Sequence, residues 1–183
     1  MASSCCNNSP ETGKARTKDA IENILSRKSV RKFSDKPVEQ GKIDTMLRAG
    51  MSAPSGKDIR PWEFIVVTER AKLDSLAVEL PYAKMLETAR MAIIVCGDSE
   101  KSGYWYLDCS AAAQNVLLAA EALGLGAVWT ATYPYEERMA AVNRHFPLPE
   151  AVKSLCVIPV GYPAAPTSPK DKWDESKIHT NGW

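Results

Sequence analysis

Apolar positions along this chain fall into two patterns, a helical period and short solid runs. Asp19 ahead of the polar–apolar stretch 20–28 predicts an N-cap and an amphipathic helix with Ile21, Ile24 and Leu25 on one face. The following SVRKFSDKPV breaks the period. Residues 39–52 predict a second helix through Ile43, Met46, Leu47 and Gly50, and residues 53–62, with two prolines and a glycine, predict a loop. WEFIVVT (62–68) and MAIIVCG (91–97) are short apolar runs that predict strands, with helical spacing over 69–79 between them. Residues 104–123 predict the longest helix, apolar on most sides, which places it centrally or at a subunit interface; Gly124 is its C-cap candidate. GAVWTAT (126–132) and KSLCVIPVGYP (153–163) predict two further strands around a helix at 136–146. Beyond Pro163 the periodicity fades. This order predicts an α+β sandwich, a few strands with helices on both faces.

The 183 residues suit one domain over 19–183, with 163–183 as a C-terminal arm and 1–18 as a flexible, polar tail. A hydrophobic content of 45% is ample for a core. Charge is balanced, 23 Lys and Arg against 22 Asp and Glu, so electrostatics give no case for nucleic-acid or membrane-surface binding. The longest apolar run, 91–96, is far short of the roughly 18 residues of a spanning helix. Cysteines at 5, 6, 96, 109 and 156 are odd in number and widely spaced, and no CxxC pair accompanies His145 and His179. Neither a disulfide framework nor a zinc site is expected. Cys96 and Cys156 read as buried hydrophobes, and Cys109 lacks a nearby His to activate it. The start has no apolar signal region, so a cytoplasmic protein is expected. Small residues running into Cys5-Cys6 also look like the segment behind the apolar stretch of a bacterial lipoprotein signal, which would make the protein lipid-anchored or periplasmic.

Four stretches carry candidate chemistry. Arg27-Lys28-Ser29-Val30-Arg31 follows a helix, and its cations and hydroxyl suit a phosphate; a basic helix end equally complements the macrodipole. Ala53–Trp62 is a Pro- and Gly-shaped loop that presents backbone N–H groups to a flat ligand, or an ordinary loop with Trp62 as core filler. Ala122–Thr130 holds two glycines, but they follow a helix and lead into a strand, the reverse of a dinucleotide fingerprint. Lys170 and Lys172 lie in the Pro-rich tail and otherwise face water.

Taken in order, these pieces resemble the nitroreductase family over about residues 19–172. The carriers are Arg27-x-Ser29-x-Arg31, then Ala53-Pro54-Ser55 running to Pro61-Trp62. They continue with the run from Asp108 through Gln114-Asn115 and Leu123-Gly124-Leu125-Gly126 to Trp129, then Val160-Gly161-Tyr162-Pro163 and a basic tail. The ordered set, not any one piece, is specific. The resemblance implies a three-layer sandwich on a mixed, mostly antiparallel sheet, a homodimer, and FMN as cofactor with NADH or NADPH as co-substrate. It implies that Arg27, Lys28 and Ser29 meet the FMN phosphate and ribityl chain, that Arg31 lies near the N1/C2 edge of the ring, and that Lys170 and Lys172 complete the phosphate site. Pro54, Ser55 and Gly56 would reach the flavin from the partner subunit. Val128, Trp129 and Thr130 would pass the ring, with a backbone N–H there donating toward N5 or O4. Lys84, in PYAKM, is a further candidate for the pyrimidine edge.

This loop departs from the family, which commonly has Asn and Gln where Asp58 and Arg60 stand. An acid there disfavours the reduced-ring anion unless Arg60 or Lys57 pairs with it. The implied activity is ping-pong transfer of hydride from NAD(P)H, through the flavin, to a small acceptor such as a nitroaromatic or quinone, with no side-chain nucleophile. Two alternatives stand beside it: a specialised flavin enzyme of the same fold, of dehalogenase or oxidase type, and a non-catalytic flavin-binding protein. The short link 98–104 leaves no room for the long lid that the first would favour.

Overall fold

The computed structural model describes residues 19–183. The expected tail, 1–18, and the Cys5-Cys6 pair lie outside the described residues. Helix α1 (Ala20–Ser26) starts at Asp19, whose Oδ1 accepts from Glu22 N at 2.8 Å. It ends two residues before the predicted limit, because Arg27 turns extended (ψ 131) and leads the chain toward the sheet. Helix α2 (Gln40–Met51) buries Ile43, Met46 and Gly50 as its period predicts. A single 3-10 turn at Gly56–Asp58 precedes strand β1 (Trp62–Val67), followed by α3 (Arg70–Glu79), a second 3-10 turn (Lys84–Glu87) and β2 (Met91–Asp98). Then come α4 (Trp105–Ala122), β3 (Gly126–Ala127), β4 (Thr130–Ala131), α5 (Glu136–His145), β5 (Val152–Gly161) and a 3-10 turn at Glu175–Lys177.

The strands form one sheet in the order β1-β2-β5-β3, with β4 also on β5. Every ladder between them is antiparallel; the mixed character expected of the sheet is confined to an isolated parallel bridge between Ser29 and Ala127. Side chains alternate along β2, so its two faces feed two cores. Met91, Ile93 and Val95 join Ile43 and Met46 of α2 and Cys109, Ala112 and Val116 of α4. Ala92, Ile94 and Cys96 join Leu73 and Leu76 of α3 and Ala141 and Val142 of α5. That is the three-layer sandwich. Among the described residues no helix is long and apolar enough to cross a membrane.

Two expectations change. The predicted strand 126–132 is two short pieces. Both hold one register on β5, Ala127 opposite Val160 and Thr130 opposite Val157, so the strand is interrupted without slipping. Thr132 N bonds to Leu155 O (3.0 Å), and the two-residue alternation of an antiparallel ladder makes 157 and 159 the next bonding positions on β5. The position opposite Val128 is therefore Pro159, which has no N–H to give. The second change concerns α1, none of whose residues is buried: Ile21, Ile24 and Leu25 turn their shared face outward, 50–71% exposed. The helix forms as its period predicts, but among the described residues nothing buries that face.

Candidate functional site

The chain leaving α1 is stitched to β3. Val30 N donates to Ala127 O at 3.0 Å beside the Ser29–Ala127 bridge, and Val30 is buried. This approach requires Gly126, because a Cβ there would lie 2.6 Å from Val30 Cβ and Cγ1. The stitch delivers Arg31 to the backbone freed at 128–129. Between them opens a cleft of about 380 Å³, lined by Arg31, Pro81, Tyr82, Met85, Val128, Trp129, Thr130, Ala131 and Arg138. Two of those residues are arginines and none is acidic.

Of the residues singled out in the sequence, the structure gathers Arg31, Val128, Trp129 and Thr130 in this cleft. The Thr130 hydroxyl is turned into the sheet, donating to Val157 O at 2.6 Å, so what this position offers a ligand is its backbone. Arg27 and Ser29 flank Lys28 on the way in. Lys28 itself is held by Glu121, with Nζ 3.0 Å from Oε1 in a pair only 20% and 7% exposed. Lys170 and Lys172 line a separate hollow with Ile24, Leu25 and Trp173, beside the turn of α1 that leads into Arg27. Lys84 is exposed and does not line the cleft, although its neighbour Met85 does.

Pro54, Ser55, Gly56 and Asp58 line no part of the cleft; they form a loop docked on the start of α4. Gly56 N donates to Asp108 Oδ1 (2.9 Å), whose other oxygen accepts from Ser102 Oγ (3.3 Å), and Ser55 Oγ accepts from Arg60 N (3.0 Å). Three non-glycine residues here, Lys57, Asp58 and Arg60, have φ of 54–57°, a left-handed backbone that costs about 1 kcal/mol or more at each position. The acid in this loop is paired: Arg60 Nε and Nη2 donate to the two carboxylate oxygens of Asp58 at 2.7 and 2.6 Å. That fork holds the Asp58 carboxyl below its usual range. The condition under which an acid is tolerable beside a reduced ring is therefore met by Arg60.

Six residues escaped the sequence reading. Pro81, Met85 and Ala131 are silent by type, and Tyr82 and Arg138 reach the cleft only through the fold, from the loop after α3 and from the first turn of α5. Asp108 was visible at the start of the long helical motif, but its task of fixing the 53–60 loop was not. The thiols behave as expected: Cys96, Cys109 and Cys156 are buried, and burial pushes Cys96 and Cys109 up to about 12 and Cys156 well above its usual value. A larger hollow of about 600 Å³, between α5 and the start of β5, contains none of the predicted residues.

A three-layer α+β sandwich whose open strand edge, loop arginine and Pro-Ser-Gly loop stand in this arrangement is the architecture of a family of oxidoreductases. Residues 24–162 match the family model described as "Nitroreductase family", and the chain belongs to that family. A protein of Methanothermobacter thermautotrophicus, provisionally named an NADH dehydrogenase/NAD(P)H nitroreductase, is 46% identical over 174 residues, 93% of this chain and 91% of its own. The crystal structure of a Bacteroides thetaiotaomicron protein with the same provisional name is 67% identical, with a TM-score of 0.89 over 94% of this chain and all (100%) of the other. A Desulfovibrio desulfuricans protein, provisionally named a nitroreductase and crystallised in complex with FMN, is 28% identical. Its TM-score is 0.77 over 91% of this chain and 98% of its own.

Proposed function

We propose that this protein is an FMN-dependent oxidoreductase that takes hydride from NADH or NADPH and passes it to a small acceptor, a nitroaromatic or a quinone, by ping-pong turnover in a homodimer. The observation that carries the reading is the cleft itself: strand backbone interrupted at 128–129, Arg31 brought up beside it, and no lining carboxylate. That donor set fits the electron-rich pyrimidine edge of a flavin, and the fit is chemical as well as familial. Arg31 stands where positive charge favours negative charge on the ring edge. Backbone at 128–129, in the gap between β3 and β4, would be free to hydrogen-bond toward N5 or O4. Arg27, Ser29, Lys170 and Lys172 would hold the phosphate, and Lys28 would shape that end through its pair with Glu121. When bound, FMN supplies the two-electron chemistry, and the protein binds, orients and tunes it.

The dimer follows from unsatisfied apolar surface. The outward face of α1, together with Tyr104 ahead of α4, Leu107 in its first turn and Trp173 of the tail, exposes large side chains in one molecule. A second copy would cover them and bring Pro54, Ser55, Gly56 and Asp58 to its partner's flavin. In this reading residues 19–183 form one domain, with 163–183 as an arm around the partner, in the cytoplasm. The Desulfovibrio protein's complex with FMN and the NAD(P)H name of the Methanothermobacter protein support the cofactors.

The test is an absorbance spectrum of the purified protein, with anaerobic addition of NADH and then NADPH. Bands near ~370 and ~450 nm, bleaching with either nucleotide and returning with menadione, are expected. A protein that takes up no FMN refutes the reading; one that takes up FMN but is reduced by neither nucleotide is a flavin carrier.

A further inference from the structure

Arg138 has more to do than close a wall. Its guanidinium carbon lies 3.8 Å from the Tyr135 ring centroid and 5.9 Å from that of Tyr82, and Nη1 reaches Ala131 O at 3.4 Å. The stack fixes the guanidinium plane at the cleft; its Nε is buried and has no hydrogen-bond partner. The carboxylate paired with it, Glu137, stands 4.0 Å away on a side chain 73% exposed, too far to donate to and too wet to neutralise it. Tyr82 adds an independent sign. It is 82% exposed and lines the same cleft. The Leu80–Ala83 turn, closed by Ala83 N donating to Leu80 O at 3.3 Å with Pro81 ahead of Tyr82 at φ 64°, sets its place at the rim.

On the reading of this cleft as the flavin site, we propose that Tyr82, Arg138 and Tyr135 form a rim that selects flat acceptors bearing an oxyanion, a carboxylate on an aromatic ring. Tyr82 offers a face to the ring, and Arg138, held against Tyr135, offers its charge and its outer N–H groups to the anion. Arg138 is thus a specificity residue. A lysine at this position would keep the charge but lose both the stack and the planar fork.

The test compares 4-nitrobenzoate with 4-nitrobenzamide, one charged and one neutral, in the wild type, Arg138→Gln, Arg138→Lys and Tyr82→Ala. Binding is read by calorimetry on the FMN-loaded dimer without donor, and turnover by kcat/KM with NADH. The wild type is expected to favour the benzoate by about tenfold, the scale of one charge-assisted hydrogen bond in a half-open site. R138Q should abolish that ratio and R138K should keep about a third of it. Y82A should weaken both acceptors alike and leave the ratio standing. A ratio unchanged in R138Q, or a wild type that takes up FMN but shows no preference, overturns the proposal. Failure of the underlying reading shows differently, as a wild type that takes up no FMN.

Discussion

Replacing Gly126 by alanine adds one methyl group where the site's two halves touch. Its Cβ would meet three atoms of Val30 at 2.6, 2.6 and 2.8 Å, against a normal carbon–carbon contact of about 3.6 Å. Val30 is 1% exposed and cannot swing into solvent, so β3 and the 29–31 segment must separate by about 1 Å. The Val30 N to Ala127 O bond, now 3.0 Å, would then stretch beyond hydrogen-bond range. Overpacking of about 1–3 kcal/mol and a lost bond of about 1 kcal/mol sum to about 2–4 kcal/mol. At roughly 2–4 °C per kcal/mol for a chain of this size, calorimetry at fixed protein concentration should show Tm lower by about 4–16 °C. Because the same movement carries Arg31 off the cleft, FMN affinity should fall about tenfold or more. Gly41 is the internal control: a Cβ there meets nothing within 4 Å on an exposed turn of α2, so G41A should hold or raise Tm. In a Val30→Gly background the clash is gone and G126A should cost far less, a coupling above about 1 kcal/mol. A G126A protein within ~1 °C of the wild type, with FMN affinity within about twofold, would refute the stitched-site reasoning.

Four further outcomes rest on the same structure. Asp108→Ala strands the Gly56 N–H and the Ser102 hydroxyl, so it should cost about 1–3 kcal/mol in chemical denaturation and loosen FMN, whereas D108N keeps an acceptor for Gly56 and should cost less. Glu79 accepts from Arg144 and from His145 (2.7 Å), the Arg144 bond being the larger cause that holds its carboxyl below its ordinary 4.5. A depressed acid stabilises above its unfolded pKa and loses that as pH falls through the folded value. The stability gap between wild type and E79Q should therefore close as the pH falls below about 4.5; a gap that survives at the acid end of the range contradicts the pairing. Iodoacetamide at pH 8 should leave Cys96, Cys109 and Cys156 unmodified in native protein and alkylate all three after unfolding, read by peptide mass. Leu25→Asp, on an exposed apolar face, should shift the proposed dimer to monomer in light scattering while the far-UV spectrum holds; a dimer that survives puts the interface elsewhere.

Much of the fold was legible because α2 buries one periodic face and the central strands, buried on both faces, read as solid apolar runs. Ile43 and Met46 announced α2, and the β-branched runs announced β1, β2 and β5. What misled was context. Ile21, Ile24 and Leu25 carry the same period as a buried helix, and a sequence does not say whether the matching surface belongs to the same chain. The site divides the same way. Arg31 and the 128–130 stretch were expected from the ordered family motifs around Ser29 and Gly126, and the fold gathers them in one cleft. Arg138 and Tyr82 were not, since nothing local distinguishes a first-turn arginine or a loop tyrosine until α5 and the α3 loop fold over the same strand edge. Asp58 looked like a discordant acid until Arg60, two residues on, proved to close a fork over it.

Pro159 gives this architecture an indirect kind of control. It sits buried on β5, one strand away from the cleft, and acts on it through a hydrogen it does not have. Val128 and Trp129 stay out of the ladder because their neighbour has nothing to donate, so the openness of the binding edge is written into the scaffold and not into the residues that line it. A survey of contacts would pass over position 159, although a residue there with an N–H would offer Val128 the partner that carries the ladder across the gap between β3 and β4. Tuning the reach of that edge is therefore a matter of editing the strand behind it.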